Sequence, residues 1–126
     1  MITENEISKT IVNQCIGIHI KLGPGLLESV YEEILYYELI DHGLKVKRQV
    51  PIPVIWKNRP MGIGYRADLI IENKVILELK SVEKIAKVNP KQLLTYLRLT
   101  DIKLGLLINF GETLMKDGIT RVVNNL

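Results

Sequence analysis

The chain contains few cysteine, histidine and aromatic residues. It has one Cys and two His among 126 residues, with 6% aromatic side chains. A single cysteine cannot form an internal disulfide, and so few soft ligands argue against a structural zinc site. Cys15 lies among apolar residues at helical spacing, so we expect it to be buried as a small hydrophobic side chain. No apolar run reaches the roughly 18 residues of a membrane span, so none is predicted.

The remaining composition is that of an ordinary soluble protein. Hydrophobic residues make up 47% of the chain and charged residues 25%, which is typical of a globular domain. The length predicts one domain over residues 1–126 with a single core. The first six residues, Met-Ile-Thr-Glu-Asn-Glu, are acidic and lack an apolar signal core, which favours a cytoplasmic location.

The net charge of +3 conceals an uneven distribution. Residues 1–44 hold two basic and seven acidic side chains, whereas residues 45–91 hold eleven basic and four acidic ones. A basic segment suits a polyanionic partner such as nucleic acid. The alternative is a set of solvated strand edges, which lysines commonly protect.

The hydrophobic pattern predicts helices and strands in the order α-α-β-β-β-α-β-β. The predicted helices cover residues 4–21, 26–41 and about 89–99, and the predicted strands cover residues 45–57, 61–72, 74–82, 104–110 and 119–124. Thr3 is a plausible cap of the first helix, and Asn89–Pro90 has the pattern of a cap and first helical position. Pro51 and Pro53 favour an edge strand, and Gly62–Ile63–Gly64 favours a bulge or tight bend. This order predicts an α/β (α+β) fold with a central mixed sheet flanked by helices.

Three charged residues lie on two strands that are otherwise apolar. The Glu72–Asn73–Lys74 segment interrupts the apolar run and predicts a hairpin turn that brings Asp68 towards Glu78. Strand alternation places Glu78 and Lys80 on one face. Charges in such surroundings are costly unless they pair or hold a metal. Two carboxylates suit a hard cation such as Mg²⁺, and a lysine suits a water nucleophile or a phosphate.

These residues resemble the motif of the PD-(D/E)XK nuclease superfamily. In that motif an acid, often preceded by proline, comes before a strand that ends in Asp/Glu-x-Lys. Ala67–Asp68 and Glu78–Leu79–Lys80 match its two halves. Gln92–Leu93–Leu94–Thr95–Tyr96 is similar to the Gln-x-x-x-Tyr helix of RecB-type nucleases. Gly25–Leu26–Leu27–Glu28–Ser29–Val30–Tyr31 matches the motif of the GxxExxY family, which is grouped with this superfamily.

The resemblance implies a fold and a set of ligands. The expected fold is a restriction-endonuclease-like α-β-β-β-α-β core with an extra N-terminal helix. Asp68, Glu78 and the backbone carbonyl of Leu79 would hold Mg²⁺ or Mn²⁺. Glu28 would be a further metal ligand, bound directly or through water. Lys80 would position or deprotonate the attacking water.

Further side chains are expected around this site. Gln92 and Tyr96 share one face of their helix and would border the site, while Tyr31 is more readily explained as a core residue. Arg66 follows the same strand face as Asp68, so it is either a phosphate contact or a charge partner of that residue. The basic candidates for nucleic-acid contacts are Arg66, Lys84, Lys87 and Lys91.

The leading prediction is therefore a metal-dependent nuclease that hydrolyses phosphodiester bonds in nucleic acid, with DNA as the expected substrate. The alternative is a non-catalytic nucleic-acid-binding or assembly module on the same fold. A domain of this size leaves no separate unit for reading sequence. Specificity would come from nucleic-acid structure, from homodimerisation or from a partner protein.

Overall fold

The fold begins with two helices and continues into a sheet. The computed structural model describes the backbone of residues 1–126 and every side chain except that of Ile63. The elements are α1 (Glu4–Leu22), α2 (Glu28–Asp41), β1 (Val46–Trp56), β2 (Arg59–Ile71), β3 (Val75–Lys80), α3 (Val88–Thr100), β4 (Leu104–Asn109), a 3₁₀ turn (Met115–Asp117) and β5 (Ile119–Val123). The predicted order of elements is confirmed. No helix of the described residues is long and apolar enough to cross a membrane.

The five strands form one mixed sheet in the order β1-β2-β3-β4-β5. The pairs β1–β2, β2–β3 and β4–β5 are antiparallel, and β3–β4 is parallel. Helix α3 supplies the crossover that a parallel pair requires. The predicted mixed sheet is confirmed, and β1, which contains Pro51 and Pro53, is an edge strand as expected.

Each face of the sheet has its own hydrophobic core, because successive strand residues point to opposite faces. The face covered by α1 and α2 buries Ile7, Ile11, Cys15, Leu35, Leu69, Leu77, Leu79 and Leu106, among others. The face covered by α3 buries Ile70, Ile76, Leu93, Tyr96, Leu97 and Leu107, among others. The sheet thus lies between α1 and α2 on one face and α3 on the other. Burial in the first core raises the pKa of the Cys15 thiol.

The helix ends partly follow the sequence signals. Thr3 caps α1, since its hydroxyl accepts a 3.2 Å hydrogen bond from the Glu6 N–H. The predicted cap of α3 is wrong: this helix begins at Val88, and its cap position is Lys87. The Asn89 side chain instead accepts a 2.9 Å bond from the Ala86 N–H. The helix thus begins two residues before Pro90, the first helical position that the Asn-Pro pair indicated.

The two hairpins differ in regularity. Between β2 and β3 the chain reverses at Glu72 and Asn73, whose φ angles of 53° and 54° are those of a tight hairpin turn. Between β1 and β2 the register shifts between Pro53 and Ile55. Gly62 lies opposite this shift with a φ of 69°, a conformation that glycine adopts without strain. The predicted bulge or bend is confirmed.

Candidate active site

The candidate site forms where β2 and β3 separate. Backbone pairing between these strands ends at Leu69 and Leu77. Beyond that point side chains replace the ladder: Asp68 Oδ2 accepts a 2.8 Å bond from the Leu79 N–H, and the Asp68 N–H donates to Glu78 Oε2 at 3.3 Å. We call this opening the fork. Each carboxylate thus satisfies a backbone donor that the diverging strands leave unpaired.

The two acids of the fork affect each other strongly. Burial raises the pKa of Glu78 to about 9, and the hydrogen bond and negative charge of Asp68 act in the same direction. The Asp68 N–H and the charge of Lys80 oppose the rise without cancelling it. Two carboxyl groups this close cannot both ionise readily unless a cation joins them. The fork therefore holds a proton or attracts positive charge.

A cavity of about 150 Å³ opens onto the fork. It is lined by Glu28, Arg66, Asp68, Glu78, Lys80, Asn89, Gln92, Leu93, Tyr96 and Leu107. Seven of these are residues that the sequence singled out for a site. The strands supply the acids and both cations, α2 supplies Glu28, and α3 supplies Gln92 and Tyr96. Burial, followed by the negative charge of Glu78, raises the pKa of Tyr96 to about 12, so its hydroxyl is a neutral donor.

Glu28 lies at the junction of two cavities. It is the first residue of α2, after the cap position Leu27, and it is exposed. It also lines a second cavity together with Asp68 and Leu79. Among the residues with described side chains, no group of three or more His, Cys, Asp or Glu is close enough to hold a metal ion. Glu28 therefore faces the fork without completing a three-acid cluster in this conformation.

The loop that delivers Glu28 is held by Tyr31. The Tyr31 ring stacks on Phe110 at 4.2 Å between centroids. Its hydroxyl donates to the Gly23 carbonyl and accepts a 3.1 Å bond from the Leu26 N–H. Tyr31 is thus a buried structural residue, which agrees with the core interpretation. Tyr31 thus orders the turn that precedes Glu28.

Another acid, Glu32, lies beside the fork, and the sequence did not indicate it. Glu32, which carries no motif signal in the sequence, is only 8% exposed. It accepts from Arg48 at 3.2 Å and from the Gln49 amide at 2.6 Å. The same amide nitrogen lies 3.3 Å from Asp68 Oδ1. Gln49 adopts a φ of 48°, uncommon for a residue other than glycine, and no sequence signal marks it.

The candidates for nucleic-acid contacts differ in their position relative to the cavity at the fork. Lys84, Lys87 and Lys91 are exposed around the start of α3 and lie outside the two cavities at the fork. Arg66 lines the cavity with Asp68. His19 is buried, with Nε2 2.8 Å from the Glu112 carbonyl oxygen, so it has a structural role. Asn89, which the sequence suggested only as a cap, is a further lining residue.

The comparisons with known proteins show the superfamily and the fold. The family model described as PD-(D/E)XK nuclease superfamily matches residues 5–122. The crystal structure of SSO0001 has a similar fold, with a TM-score of 0.57 and 18% sequence identity over 95% of this chain and 67% of that chain. At such low identity the likeness shows the fold alone. No curated protein sequence matches the chain.

Proposed function

We propose that this chain, which belongs to the PD-(D/E)XK nuclease superfamily, is a nuclease that hydrolyses phosphodiester bonds with the help of Mg²⁺ or Mn²⁺. The observation that carries the proposal is the convergence of Asp68, Glu78 and Lys80 on one cavity at the fork. The match of Gly25–Tyr31 to the GxxExxY motif supports the further proposal that the chain belongs to that family within the superfamily. DNA is the expected substrate.

The donor set at the fork fits a hard divalent cation. Asp68 and Glu78 offer carboxylate oxygens, and burial next to Asp68 raises the pKa of Glu78, so a bound cation would offset the repulsion between the two acids. Mg²⁺ commonly binds through one or two carboxylates and keeps several waters. The backbone carbonyl of Leu79 would be a further ligand, and Glu28 would act through a water because it lies outside a three-acid cluster.

The chain's own groups have separable roles in the reaction. When bound, the cation would polarise the phosphoryl group and lower the pKa of a nearby water. Lys80 would hold the attacking water and neutralise charge that develops on the phosphate. Gln92 would orient Lys80 or a phosphate oxygen. The Tyr96 hydroxyl would donate a hydrogen bond to the substrate from the wall of the cavity. Arg66 would bind a phosphate next to the bond that breaks.

The nucleic acid outside the cavity would meet the exposed lysines. Lys84, Lys87 and Lys91 are exposed on the approach to α3 and would contact phosphates away from the fork. Such contacts position a strand without reading its sequence. Selectivity would then come from nucleic-acid structure, from a second copy of the chain or from a partner protein.

The direct test is metal-dependent cleavage of a panel of substrates. Single-stranded, duplex and branched DNA, together with RNA, are incubated with Mg²⁺ or Mn²⁺ and, separately, with EDTA. Glu78→Ala is compared with Glu33→Ala, which removes an exposed acid of α2 outside both cavities at the fork. We expect cleavage by wild type and Glu33→Ala only with metal, and none by Glu78→Ala. Equal cleavage by all three proteins would indicate a contaminating nuclease.

A second candidate function is a nucleic-acid-binding module without catalysis. It is favoured by one observation, the lack of a three-acid cluster among the described side chains. Salt-sensitive nucleic-acid binding without cleavage of any substrate, at any concentration of either metal, would establish this alternative.

A further inference from the structure

The hairpin of β1 and β2 extends beyond the rest of the sheet. β2 pairs with β3 only over Leu69–Ile71, whereas its pairing with β1 continues to Arg59. We call residues 53–66 the arm. Every described side chain of the arm except Val54 is exposed. The arm is therefore a largely exposed two-stranded projection, which contacts α3 near its base, where Tyr65 lies beside Tyr96.

The exposed surface of the arm is rich in large apolar side chains. Trp56, the only tryptophan of the sequence, is 66% exposed at the tip, and Ile55, Met61 and Tyr65 are exposed along the strands. Tryptophan is usually largely buried. Exposed apolar patches of this kind mark interaction surfaces.

All formal charges in the sequence of the arm and its flanks are positive. Residues 42–67 contain six Lys and Arg and no Asp or Glu. At the tip the Lys57 Nζ lies 5.9 Å from the centroid of the Trp56 ring, and Arg59 pairs with Trp56 across the hairpin. A partner must therefore combine negative charge with flat apolar groups. Single-stranded nucleic acid has both, because its unpaired bases can stack on aromatic rings beside cations.

The arm is continuous with the fork. The Tyr65 ring lies 5.4 Å from the Tyr96 ring, and Tyr96 and Arg66 both line the cavity with the acids. The tip at Arg59 is nine residues from Asp68, which at roughly 3.3 Å per residue is about 30 Å. A stacked strand rises about 3.4 Å per nucleotide, so about nine nucleotides would span this distance.

We propose that the arm binds single-stranded nucleic acid and leads it to the fork. Trp56 and Tyr65 stack on unpaired bases, and Lys57 and Arg59 bind phosphates. The delivery of the strand to the fork rests on the proposed nuclease function. The binding of the strand by the arm does not depend on it. A duplex, whose bases are already stacked on one another, lacks the free base faces that the aromatic side chains require.

Binding is measured in EDTA, so that cleavage does not interfere. A fluorescein-labelled single strand of about 20 nucleotides, a strand of about 5 nucleotides and a 20-base-pair duplex are titrated by anisotropy. We compare wild type, Trp56→Ala, and Tyr37→Ala as the control, since Tyr37 is an exposed aromatic residue on α2 outside the arm. The tryptophan emission of wild type, excited selectively over that of tyrosine, reports on Trp56 alone.

The expected result is selective for the longer single strand. Trp56→Ala should weaken its binding about tenfold, with little change for the short strand or the duplex, and Tyr37→Ala should bind like wild type. The single strand should quench Trp56 emission. Replacing Lys57 and Arg59 together by Gln should lower the slope of log K against log salt by about 1.4, at about 0.7 per phosphate contact.

Other outcomes separate this inference from the nuclease proposal. Unchanged binding by Trp56→Ala together with unquenched emission would overturn the inference, as would an equal loss of duplex binding. A wild-type dimer that Trp56→Ala converts to a monomer, with DNA affinity unchanged, would show that the arm joins two copies instead. Arm-dependent binding without metal-dependent cleavage would support the arm and overturn only the nuclease proposal.

Discussion

Two acidic sites lie side by side in this molecule, and only one of them is neutralised by a nearby cation. Glu32 is buried, yet Arg48 at 3.2 Å and the Gln49 amide satisfy it. Asp68 and Glu78 instead face each other, and the pKa of Glu78 rises to about 9. Lys80 lines the same cavity but does not cancel that rise.

The two sites differ in whether a cation compensates the buried acid. A buried acid with its own cation is a stable part of a fold, whereas two adjacent acids without one make the folded state less stable, a pattern that is typical of functional sites. Gln49 contacts both Glu32 and Asp68, so the first site also orients an acid of the second. We expect variants of the two sites to differ in kind as well as in magnitude.

The largest effect should come from Lys80→Ala. Loss of this ammonium should reduce metal-dependent cleavage by about 10²–10⁴-fold, the usual range for a positioned acid–base group, while metal binding is nearly kept. Arg48→Ala, which removes the cation of the other site, should reduce cleavage several-fold at most. Single-turnover cleavage rates measure both. Similar losses in the two variants would remove the distinction between the sites.

Next in size is the response of stability to metal. Mg²⁺ at about 100 times its dissociation constant should stabilise wild type by about 2.7 kcal/mol, seen as a rise in melting temperature that grows with the logarithm of concentration. Asp68→Asn should lose most of this rise, because it removes a ligand. Glu32→Ala should keep it. A rise of equal size in all three proteins would show that the ion binds elsewhere.

Without metal, the two sites should respond with opposite signs. Glu32→Ala leaves Arg48 without its partner and should lower the free energy of unfolding by about 1–2 kcal/mol, a discounted value because the Arg48 side chain is 34% exposed. Glu78→Gln should raise the free energy of unfolding at neutral pH, because the wild-type carboxyl, with its pKa raised to about 9, must take up a proton on folding and the amide need not. Urea titrations in EDTA test both signs.

The last expected effect is a pH dependence of the free energy of unfolding. The pKa of Glu78 is about 9 in the folded protein against 4.5 when unperturbed, so the folded state binds more protons between these values. Its contribution is complete below about pH 4.5 and is lost as pH rises towards about 9, by at most about 1.4 kcal/mol per pH unit.

Glu78→Gln should lack that dependence. Asp68, Lys80 and Tyr96 face the same cavity and are present in both proteins, so the difference between wild type and Glu78→Gln isolates the carboxyl group. A difference that stays constant from pH 5 to 9 would contradict a raised pKa.

Local patterns were enough to predict most of the fold. Alternation fixed the strands, and the turn at Glu72–Lys74 brought Asp68 opposite the Glu78 strand, because a tight hairpin sets its own register. The Glu32–Arg48 pair could not be predicted, since it depends on how α2 packs on β1. Asn89 was also misassigned, because its side chain bonds to Ala86 instead of capping the helix.

The central claim is that Asp68 and Glu78 together hold a divalent cation. Titration with Mn²⁺, followed by the electron paramagnetic resonance of the free ion, tests it without any substrate. Wild type and Glu32→Gln should take up about one equivalent of tightly bound ion, and Asp68→Asn should take up none. Equal uptake by all three proteins, or no uptake by wild type, would contradict the claim.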